Sequence, residues 1–202
     1  MLVFACISPH APILLPTVGS PTDRAKLGNT IQSLEKLGRQ LTLANPDTIV
    51  ITSPHPDWGI EVPKHLLIHN SKFTIHPILT TSDSPQEHFQ QGRKIINEQD
   101  KKLRLGWIAS ADLSHRLKKD GPYGFHPSGP VFDKLLIKLL RDKDADGVLN
   151  LDSQLSDEAG ECGLRSICML LGALTASGQA WQTDILSYEG PFGVGYLVAR
   201  LL

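Results

Sequence analysis

A chain of 202 residues, 41% hydrophobic and 20% charged, is long enough to bury a substantial core and has the balance of a globular protein. Its formal net charge of -1 lacks the basic excess of a nucleic-acid binder or of a protein held to an anionic membrane, so neither partner is expected. Three cysteines, Cys6, Cys162 and Cys168, form no paired set, which argues against a disulfide framework and for a reducing, cytoplasmic setting. No apolar stretch has the length of a bilayer span. Residues 1–7 are apolar but lack a basic leader region and soon meet Pro9 and Pro12, so they read as a first core strand.

In chain order, residues 2–7 are expected to form a buried strand. Leu27, Ile31, Leu34, Leu37 and Leu41 recur at helical spacing, with Thr22 or Asp23 suited to the N-cap. Residues 48–53, Thr-Ile-Val-Ile-Thr-Ser, are rich in β-branched side chains and read as a second buried strand. After a proline-rich turn, residues 65–69 and 73–78 are expected as two shorter strands. Residues 85–99 follow as a helix, with Pro85 tolerated in its first turn. Residues 103–110 form a strand. Residues 130–141 form an amphipathic helix with Phe132, Leu135, Leu136 and Leu139 on its apolar face, and residues 164–176 a more apolar, buried helix. Residues 181–188 and 194–201 close the chain as strands. This alternation predicts a three-layer α/β/α sandwich around a mostly parallel or mixed sheet, as one domain over residues 1–202.

Three of the eight histidines share a setting. His10 follows the first strand in Ser8-Pro9-His10-Ala11-Pro12. His55 follows the second in Ser53-Pro54-His55-Pro56-Asp57. His115 follows the strand ending at Ser110, in Ala111-Asp112-Leu113-Ser114-His115. Ligands of open α/β sheets gather beyond the carboxyl ends of the strands, where these imidazoles can converge. The flanking prolines restrict the backbone, which favours the rigid placement a metal ligand requires. His65, His69, His76 and His88 lack this context and read as structural. His126, in a glycine-rich stretch before a helix, reads as a surface-loop residue or as a second lining group of the same cleft.

The segment Asp157-Glu158-Ala159-Gly160-Glu161-Cys162-Gly163-Leu164-Arg165 places a carboxylate and a thiol at the start of an apolar helix. Glu161 reads either as a metal ligand or as a helix-start residue favoured by the dipole. Two histidines and a carboxylate make the facial set of non-haem Fe(II) oxygenases, and zinc on the same ligands suits a hydrolase. Cys162 competes with Glu161, since adjacent residues rarely both reach one ion, whereas Cys6 and Cys168 sit in core segments. Gly190-Pro191-Phe192-Gly193-Val194-Gly195 precedes a strand, which excludes a dinucleotide loop, and no Gly-x-Ser-x-Gly elbow occurs.

Taken in order, these motifs and the terminal Glu189-Gly190-Pro191-Phe192-Gly193-Val194-Gly195-Tyr196 resemble the class III extradiol ring-cleavage dioxygenases, the LigB-like group that includes Memo-like proteins. The resemblance implies that His10 and His55 are metal ligands and that His115 is the acid/base, with Asp112, Ser114 and His126 orienting or lining groups. In the dioxygenases a glutamate completes the site and matches Glu161. In Memo-like proteins a cysteine does so and matches Cys162. The implied cofactor is Fe(II), with zinc and copper as the other metals such a set admits. The implied partners are a small catechol-type aromatic and dioxygen, with a homodimer or partner subunit left open. The competing readings are a Memo-like metal-binding or redox-linked protein without ring cleavage, and a zinc hydrolase.

Overall fold

The computed structural model of the protein describes residues 1–68 and 72–202. Strand β1 (Leu2–Ser8) leads through a 3-10 turn (Pro12–Leu14) to helices α1 (Pro21–Ala25) and α2 (Gly28–Ala44). Then come β2 (Thr48–Ser53), α3 (Trp58–Leu67), β3 (Thr74–Leu79), α4 (Pro85–Glu98) and β4 (Leu105–Ser110). Four helices follow, α5 (Ser128–Arg141), α6 (Ala145–Leu149), α7 (Ser153–Ala159) and α8 (Leu164–Ser177), before β5 (Asp184–Glu189) and β6 (Tyr196–Arg200).

The six strands form one mixed sheet in the order β3-β2-β4-β1-β6-β5. The first four are mutually parallel, β6 runs antiparallel to β1, and β5 runs antiparallel to β6. Helices cover both faces, so the architecture is a three-layer α/β sandwich. Alternation along each strand divides the core. Ala5 and Ile7 of β1, Val50 of β2 and Trp107 and Ala109 of β4 pack with α4, α5 and α8. Phe4 and Cys6, Ile49 and Ile51, and Ile108 pack with α2 and α3 on the other face. Strands buried on both sides show the near-continuous apolar runs that made β1, β2 and β4 legible.

Two expectations are corrected. Residues 65–67 belong to α3 and not to a strand; His69 lies outside the described residues. Pro63 inside α3 masked its helical character, because proline in a helix interior is disfavoured. The N-cap expected at Thr22 or Asp23 belongs to a separate short helix. Ser20 caps α1 in a reciprocal capping box with Asp23, while α2 begins at Gly28 with Glu189 of β5 accepting from the Thr30 N–H at 2.7 Å. The margins of the sheet carry interruptions: Pro77 lies within β3, and the β5–β6 register shifts between Ile185 and Ser187.

Helices α4 and α8 cross with their backbones in direct contact. A Cβ on Gly92 would lie 1.9 Å from the Met169 carbonyl oxygen, and one on Gly172 would lie 1.9 Å from that of Phe89. This reciprocal contact fixes α8, and with it the loop just before α8. Gly92→Ala or Gly172→Ala is therefore expected to lower stability by about 1–3 kcal/mol through overpacking. Gly28→Ala, whose new methyl would meet nothing, should leave stability unchanged or raise it. Urea unfolding of the three variants checks this; a neutral effect at both Gly92 and Gly172 would refute the close crossing.

Candidate metal centre

Neighbouring strands β1, β4 and β2 end at one level, with Ser8 opposite Ser110 and Thr52 opposite Ala109. The chain leaves β1 through Pro9 to His10, leaves β2 through Pro54 to His55, and leaves β4 through Ala111 to Asp112. Among the described residues, donor atoms of His10, His55 and Cys162 converge, all within 4.8 Å of one another. The His10 and His55 rings meet edge to face, with centroids 5.3 Å apart. The Cys162 Sγ lies 3.5 Å from His10 Nε2. His10 is buried, His55 is exposed and Cys162 is intermediate, so the group opens to solvent on the His55 side.

Local packing explains each placement. His10 Nδ1 lies 2.9 Å from Ser110 Oγ, and the His10 N–H donates to Asp112 Oδ1 at 2.9 Å. The Ser53 hydroxyl folds the start of the next loop, accepting from the His55 N–H at 3.1 Å and donating to the His55 carbonyl at 2.9 Å. Gly59 in α3 lets this turn pack closely: a Cβ there would lie 1.9 Å from Ser53 Oγ and 3.1 Å from His55 Cβ. Gly163 plays the same part for Cys162, since its Cβ would lie 2.4 Å from Ala111 Cβ and 2.8 Å from the Asp112 carbonyl oxygen.

Glu161, expected as the third donor, is not in the converging group. Its Oε2 accepts from the Leu164 N–H at 2.6 Å, so the carboxylate is spent on the first turn of α8. Burial pushes the Glu161 carboxyl up to about 7, opposed by the Leu164 N–H and by Arg165. Cys162 takes the inward position instead. Burial, with the nearby Asp112 and Glu161 carboxylates, pushes its thiol well above the usual range, so without a metal it is protonated. Burial lowers the pKa of His10, the neighbouring His55 and His115 lower it further, and Asp112 opposes them; His10 is thus a neutral imidazole.

His115 stands beside this group and outside it. Its backbone N–H donates to the Ala159 carbonyl at 3.1 Å, and its ring meets Tyr123 edge to face at 5.0 Å. Among the described residues, the buried His115 Nδ1 has no hydrogen-bond partner. Ser114 is a structural tie: its hydroxyl donates to the same Ala159 carbonyl, and its N–H donates to Asp133 Oδ1 at 2.8 Å. Asp112 is buried, with Oδ2 3.7 Å from His10 Nε2. His126 is not in the converging group; it accepts from the Ser128 N–H and lies 3.8 Å from Glu158. His88 is buried in α4, bonded to Thr81 and Ser84, as a structural residue should be.

Sequence reasoning missed Ser110, Gly59 and Asp133. Ser110 had a visible signal, since β1, β2 and β4 each end in serine. Asp133 was hidden inside an amphipathic helix, where burial pushes it up to about 6 although Tyr188 and the Ser114 N–H favour its charged form.

Two imidazole nitrogens and one thiol sulfur match the donor preferences of a borderline transition metal such as zinc, copper or iron, and the thiolate shifts the preference from a pure oxygen and nitrogen set. The residues present thus fit a metal ion, which His10, His55 and Cys162 would hold.

Comparisons with known proteins bear on the family and the fold. Residues 55–199 match the family described as the catalytic LigB subunit of aromatic ring-opening dioxygenase; His10 precedes the matched stretch. Protein CA_C1420 of Clostridium acetobutylicum is 29% identical over 264 aligned positions, covering 96% of this chain. The chain spans about half (56%) of the length of that relative. The crystal structure of the uncharacterized protein JW3007 from Escherichia coli K12 superposes with a TM-score of 0.68 at 15% identity, covering 99% of this chain and 100% of the other, and shares the fold. With a fold of this kind, and a family match running from His55 almost to the end of β6, the chain belongs to the family of the LigB catalytic subunit of aromatic ring-opening dioxygenases.

Proposed function

We propose that this chain holds one transition-metal ion through His10, His55 and Cys162, and works as a Memo-like metal-binding, redox-linked member of its family. The observation that carries this reading is the exchange of neighbours: the Cys162 thiol faces His10 Nε2 at 3.5 Å while Glu161 binds the N–H of Leu164. A bound metal would supply a Lewis-acidic or redox-active centre on the His55 side, where the group opens. His10 presents a neutral imidazole, and His115 is set to take or give a proton beside the site.

The second reading is an Fe(II) extradiol dioxygenase acting on a small catechol. The family match supports it, as do the His115 Nδ1, unpaired among the described residues, and two exposed aromatic rings, Trp58 three residues after His55 and Tyr123 against His115. In this reading the aromatic rings hold the substrate and His115 accepts a hydroxyl proton.

Metal analysis of anaerobically purified protein, followed by oxygen uptake on a catechol panel, separates the readings. Metal without uptake is the expected result; uptake would establish the dioxygenase, and zinc with ester or amide hydrolysis would establish a hydrolase. Cys162→Ala is expected to lose the metal, whereas Glu161→Gln should retain it. Gln keeps an acceptor oxygen for the Leu164 N–H, so this variant removes the charge while sparing the helix-start contact. Retention by Cys162→Ala with loss in Glu161→Gln would reverse the donor assignment.

Metal uptake should also depend on pH. The Cys162 thiol, raised by burial, must release its proton on binding a metal. Below that raised pKa, apparent Zn(II) affinity is expected to climb about tenfold per pH unit between pH 6 and 8, since one pKa unit corresponds to a factor of ten. An affinity independent of pH over this range, measured by competition with a chromophoric chelator, would exclude a thiol ligand. His115→Ala should keep the metal and lose about 10²–10⁴-fold in rate on any substrate found; metal loss equal to that of His10→Ala would make His115 a ligand.

A further inference from the structure

We infer that Ser110 is a positioning residue that holds His10 in the Nδ1–H tautomer, presenting the Nε2 lone pair to the centre, and that Pro63 prepares the carbonyl that makes it do so. The inference rests on the assignment of His10 as a metal ligand and adds the reason why that ligand is ready to bind.

One hydroxyl proton on Ser110 decides the tautomer. Ser110 Oγ touches two groups: the Gly59 carbonyl oxygen, in a short hydrogen bond, and His10 Nδ1 at 2.9 Å. A carbonyl has no proton to give, so the single Ser110 hydroxyl proton goes to Gly59. The contact with His10 must then be Nδ1–H donating to Ser110 Oγ. A neutral imidazole protonated at Nδ1 has its lone pair on Nε2, the atom 3.5 Å from Cys162 Sγ.

Gly59 is available because of its own helix. In α3 the N–H that would bond the Gly59 carbonyl is that of residue 63, which is proline and has none. A proline ring also crowds the carbonyl four residues before it and tips it away from the helix axis. The freed carbonyl would be a buried, unpaired acceptor without Ser110. Placement completes the device, because β4 lies between β1 and β2 in the sheet. Its last residue therefore clasps the loop of His10 on one side to the helix after His55 on the other. Gly59 serves twice, since its missing side chain also makes room for Ser53 and His55.

The test reads the tautomer directly. In metal-free, uniformly ¹⁵N-labelled protein, long-range ¹H–¹⁵N correlation spectra, assigned with His10→Gln, are expected to show His10 protonated at Nδ1 and bare at Nε2. In Ser110→Ala this pattern should shift toward Nε2–H, and Zn(II) affinity should fall about 10–100-fold, the usual cost of removing a group that orients a ligand. Ser110→Thr, which keeps the hydroxyl, should restore both. A merely structural role for Ser110 would alter the melting temperature without moving the tautomer. Wild-type His10 carrying its proton on Nε2 would overturn the inference without any variant. So would a folded Ser110→Ala protein with wild-type tautomer and affinity. A wild-type Nδ1–H pattern without Zn(II) uptake would support the proton assignment and count instead against the metal reading.

Discussion

The candidate centre depends on one constraint, the common level at which three adjacent parallel strands stop. β1, β4 and β2 are buried on both faces, so their register cannot slip by one residue without turning core side chains onto the wrong layer. With register held, Ser8 and Ser110 stand opposite one another, and the chains leaving β1 and β2 emerge on either side of β4. Two histidines distant in sequence thereby become edge-to-face neighbours. The prolines before them shorten the paths by which they could drift apart.

Which side chain faces His10 follows from backbone fit. Gly160, at the end of α7, adopts the left-handed conformation with φ 64°, which turns the chain toward the sheet. Gly163 then seats against Ala111 and the Asp112 carbonyl, where a larger residue has no room. Between these two glycines only two side chains remain, and they divide the available tasks. One meets the amide groups that open α8 and the other meets His10. A carboxylate suits free N–H groups at a helix start, and a thiol suits a partly buried position beside an imidazole. The placement of Cys162 rather than Glu161 beside His10 is thus a property of the whole turn, supported from behind by the α4–α8 contact.

Much of this was legible in the sequence because it rests on local pattern. Apolar runs announced β1, β2 and β4, helical periodicity announced α2, α5 and α8, and repeated proline-flanked histidines announced where His10 and His55 would meet. Glu161 and Cys162 were recognisable as a competing pair, but their order depended on which backbone amides the turn exposes, and periodicity carries no such information. α3 was hidden by Pro63, a residue that normally ends helices and here frees a carbonyl for use. Ser110, Gly59 and Asp133 share a different difficulty. Each acts through a contact with a residue distant in sequence, and only the serine shared by the ends of β1, β2 and β4 hinted at one of them, Ser110.

The interruptions at the two margins of the sheet have a consequence for how copies of the protein meet. A strand edge with regular free amides invites another strand to dock and continue the ladder. Here one margin, β3, contains Pro77, which has no amide hydrogen to offer, and the other, β5, is bent by its irregularity beside β6. Both borders are blunted against edge-to-edge growth. Association between copies is therefore expected to join helical flanks or loops, leaving the sheet at six strands and the protein guarded against the fibrous stacking that open β-edges promote.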